Sequence, residues 1–148
     1  MYCIGIDVHQ RMSNVCVLDK RGCRVKEARV KSAELPAYID RLPGPRRICF
    51  EASLGYGVLY DRLAPLAEQV QVAHPGHLRL IFRSKRKNDR VDARKLALLL
   101  HLDQVPIVYV PDVDHRAWRK MIEVRERRVR DRTRVKNRLR ALLRGLRI

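Results

Sequence analysis

The chain lacks a long apolar run. Its 148 residues are 46% hydrophobic, yet no stretch approaches the about 20 apolar residues that a membrane-spanning helix needs. The amino terminus also lacks the basic start and the small-residue cleavage site of a secretory signal peptide. From these two absences we expect a cytoplasmic protein with no membrane partner.

Cysteines are few and do not form a metal-binding pattern. The four cysteines, Cys3, Cys16, Cys23 and Cys49, are scattered through apolar stretches without a C-x-x-C pair or spaced histidines. This spacing disfavours both zinc and a disulfide framework.

Acidic residues are scarce relative to basic ones. Lys and Arg number 33 against 16 Asp and Glu, which gives a formal charge of +17. The excess lies mainly in residues 79–95, with +6, and in residues 112–148, with +9. Such a charge destabilises one small domain by self-repulsion unless a polyanion neutralises it. The clustering therefore favours nucleic-acid binding over the alternative of a solvated basic face.

Hydrophobic patterns predict an α/β domain followed by a helix. We expect strands over residues 2–8, 13–19, 23–30, 46–51 and 70–73, and helices over 32–42, 56–68 and 88–103. Ser32 is the predicted cap of the first helix. Three hairpin strands followed by β-α-β units imply a mixed sheet with helices on its faces, here over residues 1–111. Residues 112–148 contain no Pro and predict one basic helix of about 55 Å.

Four acidic residues lie at positions that the sequence predicts to face the inside of the domain, two at strand ends and two on one helix face. Asp7 and Glu51 end two predicted central strands, and the carboxyl ends of parallel strands form the ligand-binding edge of an α/β sheet. Asp89 and Asp92 are three residues apart, so they share a helix face that continues into Ala93. Each acid alone also has a purely structural explanation: Asp7 could begin a loop, and Asp89 could be a first-turn residue that the helix dipole favours.

Four converging carboxylates repel one another unless a cation lies between them. We therefore predict that Asp7, Glu51, Asp89 and Asp92 are catalytic and hold Mg²⁺ or Mn²⁺, as one or two ions, for phosphoryl transfer. The predicted nucleic-acid contacts are the basic residues beside these acids and on the last helix: Arg83, Lys85, Arg86, Lys87, Arg90, Arg94, Lys95, Arg127, Arg128, Arg134 and Arg138.

Other residues are better explained by structure than by chemistry. His9 fits a turn, although its place near Asp7 also permits a metal or substrate contact. His74 and His77 look like loop residues, Ser53 has no evident activating base, and Cys49 fits core packing. The last helix carries two apolar stripes with a charged stretch over residues 125–134 between them. The first is most simply a packing seam, and the second has heptad-like spacing: Trp118, Met121 and Ile122, then Val135, Leu139, Leu142 and Leu146.

Three motifs resemble those of the DEDD transposases of bacterial insertion sequences, which are similar to the Piv/MooV DNA invertases and include bridge-RNA-guided recombinases. The motifs are Gly5-Ile6-Asp7-Val8-His9, Phe50-Glu51-Ala52-Ser53-Leu54-Gly55-Tyr56 and Lys87-Asn88-Asp89-Arg90-Val91-Asp92-Ala93. The second departs from the family pattern, because Leu54 separates the small polar residue from its glycine. The resemblance extends over essentially the whole chain.

This resemblance implies a RuvC-like, ribonuclease H-like domain that binds divalent metal and DNA, acts with a guide RNA and with other protomers, and is incomplete alone. Family members continue through a coiled-coil linker into a domain that bears a nucleophilic serine. The chain therefore looks like the part before that serine.

Three alternatives remain open on the sequence alone. A Holliday-junction resolvase of RuvC type needs the same acids but not so basic a helix. A nucleotide-binding module of the actin and sugar-kinase type begins with a similar strand, but a second Gly-rich phosphate loop is missing. A non-catalytic RNA-binding module of ribonuclease H type would keep the acids apart in space.

Overall fold

The computed structural model describes residues 1–81 and 89–146, with side chains for residues 1–81 and 92–146. The strands in these ranges are β1 (Tyr2–Asp7), β2 (Met12–Leu18), β3 (Arg24–Lys31), β4 (Arg46–Glu51) and β5 (Gln69–Ala73). The helices are α1 (Leu35–Asp40), α2 (Tyr56–Leu63), α3 (Pro75–Ile81), α4 (Asp89–His101) and α5 (Val113–Gly145). The chain divides into two compact units, Met1–Val110 and the residues from Pro111 onwards.

The five strands form one mixed sheet in the order β3-β2-β1-β4-β5. β1 pairs with β2, and β2 with β3, in the antiparallel sense. β1 pairs with β4, and β4 with β5, in the parallel sense. The predicted mixed sheet is thus confirmed, and its arrangement is that of a ribonuclease H-like fold with helices on its faces.

Alternation along the strands gives the sheet two buried faces. Ile4 and Ile6 point to one face, where they join a core that includes Leu35 of α1 and Leu63 of α2. Cys3, on the other face, belongs to a second core that is built largely from α4. Residues on both faces of such a strand are buried, and the four middle residues of β1 are accordingly all buried.

The first predicted helix begins differently from expected. Residues Ser32–Glu34 form a 3₁₀ turn before α1, and no side chain caps either element. The Ser32 hydroxyl instead donates to the carbonyl oxygen of His9 at 2.6 Å. A hydroxyl has one proton, so the buried Ser13 hydroxyl is the donor in its 2.8 Å bond to Ser32. The capping prediction for Ser32 is therefore wrong.

Two other boundaries also differ from the predictions. The second helix ends at Leu63 and is followed by a 3₁₀ turn, Ala64–Leu66, because Pro65 cannot donate a helical hydrogen bond. Helix α3 occupies a stretch whose sequence predicts a loop, and His77 lies within it. Pro75 begins α3, a position at which a missing N–H costs nothing.

Helix α5 is one continuous helix of 33 residues, as predicted. At 1.5 Å per residue it is about 50 Å long. The Asp112 carboxylate caps it by accepting the backbone N–H of His115 at 2.8 Å. None of its side chains is buried. No helix in the described ranges is long and apolar enough to cross a membrane.

Candidate functional site

Asp7 and Glu51 end adjacent parallel strands. The register of β1 and β4 pairs Gly5 with Cys49 and Ile6 with Phe50, so Asp7 and Glu51 are the next residues of that ladder. Parallel neighbours are about 4.8 Å apart. Both acids thus stand at the carboxyl edge of the sheet centre, the location that the sequence predicts.

Helix α4 covers the sheet face to which these acids belong. A Cβ built on Gly5 would lie 3.0 Å from the Cα of Ala97, and closer still to the carbonyl oxygen of Ala93. Only a glycine in β1 admits such an approach. At the far end of α4, the His101 ring would lie 3.0 Å from a Cβ on Gly22.

These two contacts fix the direction of α4 relative to β1. Gly22 lies in the turn that follows Leu18, and Leu18 pairs with Cys3 near the start of β1. The carboxyl end of α4 therefore lies at the amino end of β1. Its amino end, which carries Asp89 and Asp92, lies toward the edge where Asp7 stands.

Two of the predicted acids have basic partners in this structure. Asp7 is 16% exposed, and its Oδ2 lies 2.9 Å from Nε2 of His9. Asp92 is 35% exposed, and its Oδ1 accepts from Nζ of Lys95 at 3.1 Å. Glu51 is partly buried. The side chain of Asp89 lies outside the described residues.

The donor types fit a hard divalent cation, because carboxylate oxygens are the ligands that Mg²⁺ and Mn²⁺ take. Among the side chains described here, however, no group of three or more His, Cys, Asp or Glu residues is placed to hold a metal ion. The described acids are thus brought to one edge of the sheet without converging into a closed cluster.

The predicted nucleic-acid contacts are only partly described. Arg83, Lys85, Arg86 and Lys87, together with the side chain of Arg90, lie outside the described residues, whereas Arg94 is exposed. On α5, Arg127 pairs with Glu123 at 3.1 Å and Arg134 pairs with Asp131 at 3.3 Å. Arg128 and Arg138 are exposed and have no ion pair within the described part of α5.

The thiol of Cys49 and the hydroxyl of Ser13 are buried and poorly placed as nucleophiles, whereas Ser53 is exposed. Burial raises the pKa of the Cys49 thiol to about 12, so it stays protonated at neutral pH. Ser13 is fully buried and bonded to Ser32. Ser53 lies between Glu51 and α2, where its carbonyl oxygen accepts from the backbone N–H of Tyr56.

A cavity beside Asp7 was missed from the sequence. It measures about 260 Å³ and is lined by residues of β2, β3 and α4: Asn14, Val15, Glu27, Ala28, Arg29 and Ala93. The signal available in the sequence was the polar pair Ser13-Asn14 near the start of an otherwise apolar strand. What it faces depends on the pairing of β2 with β3, which local patterns do not specify.

A mixed five-stranded sheet whose central parallel strands end in acids, with a helix laid across them, defines a ribonuclease H-like α/β domain. The sequence profile of a family described as transposases matches residues 4–148. The chain belongs to this family, the IS110-type DEDD transposases.

A curated relative agrees with this assignment. The chain is 26% identical over 142 residues to the transposase for insertion sequence element IS1111A of Coxiella burnetii (strain RSA 493 / Nine Mile phase I). The match covers 95% of this chain and 38% of the relative. The chain thus spans little more than a third of the length of that protein.

Proposed function

We propose that residues 1–111 form the metal-binding, DNA-cleaving half of the transposase, with Asp7, Glu51, Asp89 and Asp92 as metal ligands. The observation that supports this most directly is the placement of Asp7 beside Glu51 at the carboxyl ends of adjacent parallel strands. The orientation of α4 adds the second pair of acids from above the same edge. Family membership favours this function over a resolvase or a nucleotide-binding module.

The four carboxylates would hold one or two Mg²⁺ or Mn²⁺ ions, which supply charge stabilisation at the attacking and leaving oxygens of a phosphodiester. His9 holds the Asp7 carboxylate through a 2.9 Å contact and so orients it. Lys95 does the same for Asp92 and adds positive charge beside the path of a phosphate. Hydrogen bonds of this kind, made to a carboxylate that also binds a metal ion, orient the metal ligand.

The basic residues would bring nucleic acid to this edge. Arg94 and Lys95 lie on the helix that carries Asp92, so a backbone bound there passes close to the acids. We also propose that α5 binds nucleic acid, including a guide RNA, through its exposed arginines. The chemistry and the family both suit action on DNA in the cytoplasm.

We further propose that α5 pairs with α5 of a second copy. Exposed apolar residues recur at heptad-like spacing in the last part of the helix and at its C-cap: Val135, Leu139, Leu142 and Leu146. Trp118 and Met121 add exposed apolar surface near its start. A helix with no buried side chain gains little from its own unit, and pairing would remove this apolar surface from water.

Strand transfer would require the serine-bearing region of the full-length transposase in addition to these residues. The Ser13 hydroxyl donates to Ser32 and the Ser32 hydroxyl donates to the His9 carbonyl, while the raised pKa of Cys49 keeps its thiol protonated at neutral pH. A covalent protein–DNA adduct is therefore expected only from a longer chain. A Ser53-dependent adduct from residues 1–148 would contradict this division of labour.

Calorimetric titration with Mn²⁺ tests the metal site. We expect wild type to bind Mn²⁺ and both Asp7→Asn and Asp92→Asn to bind more weakly, because each removes a charged ligand. Glu68→Gln is the matched control, since Glu68 is an exposed acid before β5, at the opposite end of the sheet. Wild-type affinity in both aspartate variants would overturn the shared site.

A further inference from the structure

The cavity between β2, β3 and α4 begins next to the candidate metal site. In the sheet register Asp7 pairs with Asn14, and Asn14 pairs with Arg29. Directly opposed residues in antiparallel strands share a face, so these three side chains form one row across the sheet. Arg29 is two strand spacings from Asp7, or about 10 Å.

The cavity combines one deeply buried polar side chain with two exposed charged ones. Asn14 is only 6% exposed, and its amide offers both a donor and an acceptor. Glu27 adds a carboxylate, of which Oε1 accepts from Arg24 at 3.0 Å. Arg29 is exposed and provides a positive charge at the cavity.

The volume restricts the ligand. About 260 Å³ is slightly below the roughly 300–1,000 Å³ of drug-sized ligand pockets, so the cavity suits one small planar group. A base pair is too large. A single unpaired base, with its attached phosphate outside, matches both the volume and the exposed arginine.

We propose that this cavity is a subsite for one unpaired nucleobase with an amino group at C6 of a purine or C4 of a pyrimidine, adenine before cytosine. An Asn amide pairs in bidentate fashion with adenine, a carboxylate accepts from an exocyclic amine, and thymine has no such amine. Arg29 holds the phosphate of the same nucleotide. The inference rests on the proposed function, because the base belongs to the strand that is carried to Asp7.

Fluorescence anisotropy in EDTA tests the base preference with labelled oligo(dT) probes of fifteen nucleotides that carry dA, dC or dT at the central position. Wild type should prefer the dA probe to the all-dT probe by about fivefold or more, as expected for one good bidentate contact. Glu27→Ala and Asn14→Ala should bring that ratio toward one. Glu27 is exposed on an edge strand, so this variant keeps the test valid if the Asn14 variant misfolds.

Arg29→Gln and Lys31→Gln form a matched pair, since both remove one exposed positive charge from β3 and Lys31 is outside the cavity. Arg29→Gln should weaken all probes and lower the salt slope by about one unit. Lys31→Gln should leave the affinity for all three probes and the salt slope near the wild-type values. Equal affinity of wild type for all three probes, or a ratio that neither cavity variant changes, would overturn the subsite.

The two proposals fail separately. Loss of Mn²⁺ binding in Asp7→Asn without any dA preference in wild type would leave the metal site standing and remove the base subsite. A dA preference that depends on Glu27, together with Mn²⁺ binding that Asp7→Asn does not change, would support the base subsite and remove the metal site.

Discussion

The carbonyl oxygen of Ala93 occupies the space in which a side chain at Gly5 would begin. The position of a Cβ on Gly5 is set by the backbone of the central strand, and the carbonyl oxygen of Ala93 belongs to the backbone of the helix that covers it. Neither atom can therefore rotate away. This contact sets the distance at which α4 crosses the sheet.

Gly5→Ala should therefore destabilise the fold by at least about 1–3 kcal/mol, the usual cost of forcing an extra methyl into a packed core. Urea unfolding measures the change. Gly145→Ala is the control, because a Cβ there meets no atom within 4 Å, and it should leave the free energy of unfolding unchanged or slightly raised. Equal stability of the Gly5 variant and wild type would contradict the close approach.

The basic stretch before α4 should contribute to nucleic-acid affinity through phosphate contacts. Replacing Lys85, Arg86 and Lys87 together by Gln is expected to lower the slope of log affinity against log salt by about 2–3 units. The control with the same change of charge replaces Lys20, Arg21 and Arg41, which are exposed elsewhere. Filter binding over a salt series measures both slopes, and equal slopes would remove this stretch from the interface.

Arginines of α5 should differ according to their ion pairs. Arg128 and Arg138 are exposed without a partner in the described part of the helix, whereas Arg127 and Arg134 face Glu123 and Asp131. Replacing the first two by Gln should weaken RNA binding more than replacing the second two, because a paired arginine must first leave its carboxylate. Surface pairs are worth only about 0.2–1 kcal/mol, so we expect a difference of a few fold by gel shift.

Cysteine alkylation should separate the exposed thiol from the buried ones. Cys23 is exposed, whereas burial raises the pKa of Cys3, Cys16 and Cys49, the last to about 12. Iodoacetamide at pH 8 should add one label to the native chain and four in urea, as counted by mass spectrometry. Cys23→Ser should remove the native label, and rapid labelling of Cys49 in the native chain would contradict the buried core.

The cap of α5 should make this helix sensitive to acid. Hydrogen bonds from His115 lower the pKa of the Asp112 carboxyl, so its ionised form is favoured in the folded helix. A lowered folded-state pKa contributes stability above the unfolded value of about 3.9, and this stability is lost as pH falls through the folded pKa. Circular dichroism should show a loss of helix in acid that Asp112→Asn makes shallower, since Asn caps without titrating.

Local patterns were sufficient for the parts of the fold that depend on short-range chemistry. Alternation placed Asp7 on the face of Cys3 and Gly5, and the position of Glu51 at a strand end followed from the Pro-Gly break and the apolar run before it. The direction of β4 follows from the connections: two antiparallel pairings make β3 parallel to β1, and the helix after β3 returns the chain so that β4 runs in the same direction.

Features that depend on contacts between distant segments were not predicted. Ser32 does not cap the helix because its hydroxyl donates to the carbonyl oxygen of His9, a residue 23 positions away. Helix α3 forms because Leu78 packs into the core that α4 supplies, although the stretch from Pro75 has the composition of a loop. The row of Asp7, Asn14 and Arg29 depends on two strand registers, and no local pattern encodes it.

The direction of α4 has an electrostatic consequence for the acids. A helix carries roughly half a positive elementary charge at its amino terminus, and α4 presents that end at the edge where Asp7 and Glu51 stand. The helix macrodipole thus offsets part of the mutual repulsion of the carboxylates. The same positive end of the helix favours anions, so this edge would attract the phosphate of the proposed nucleic-acid substrate as well as hold the acids.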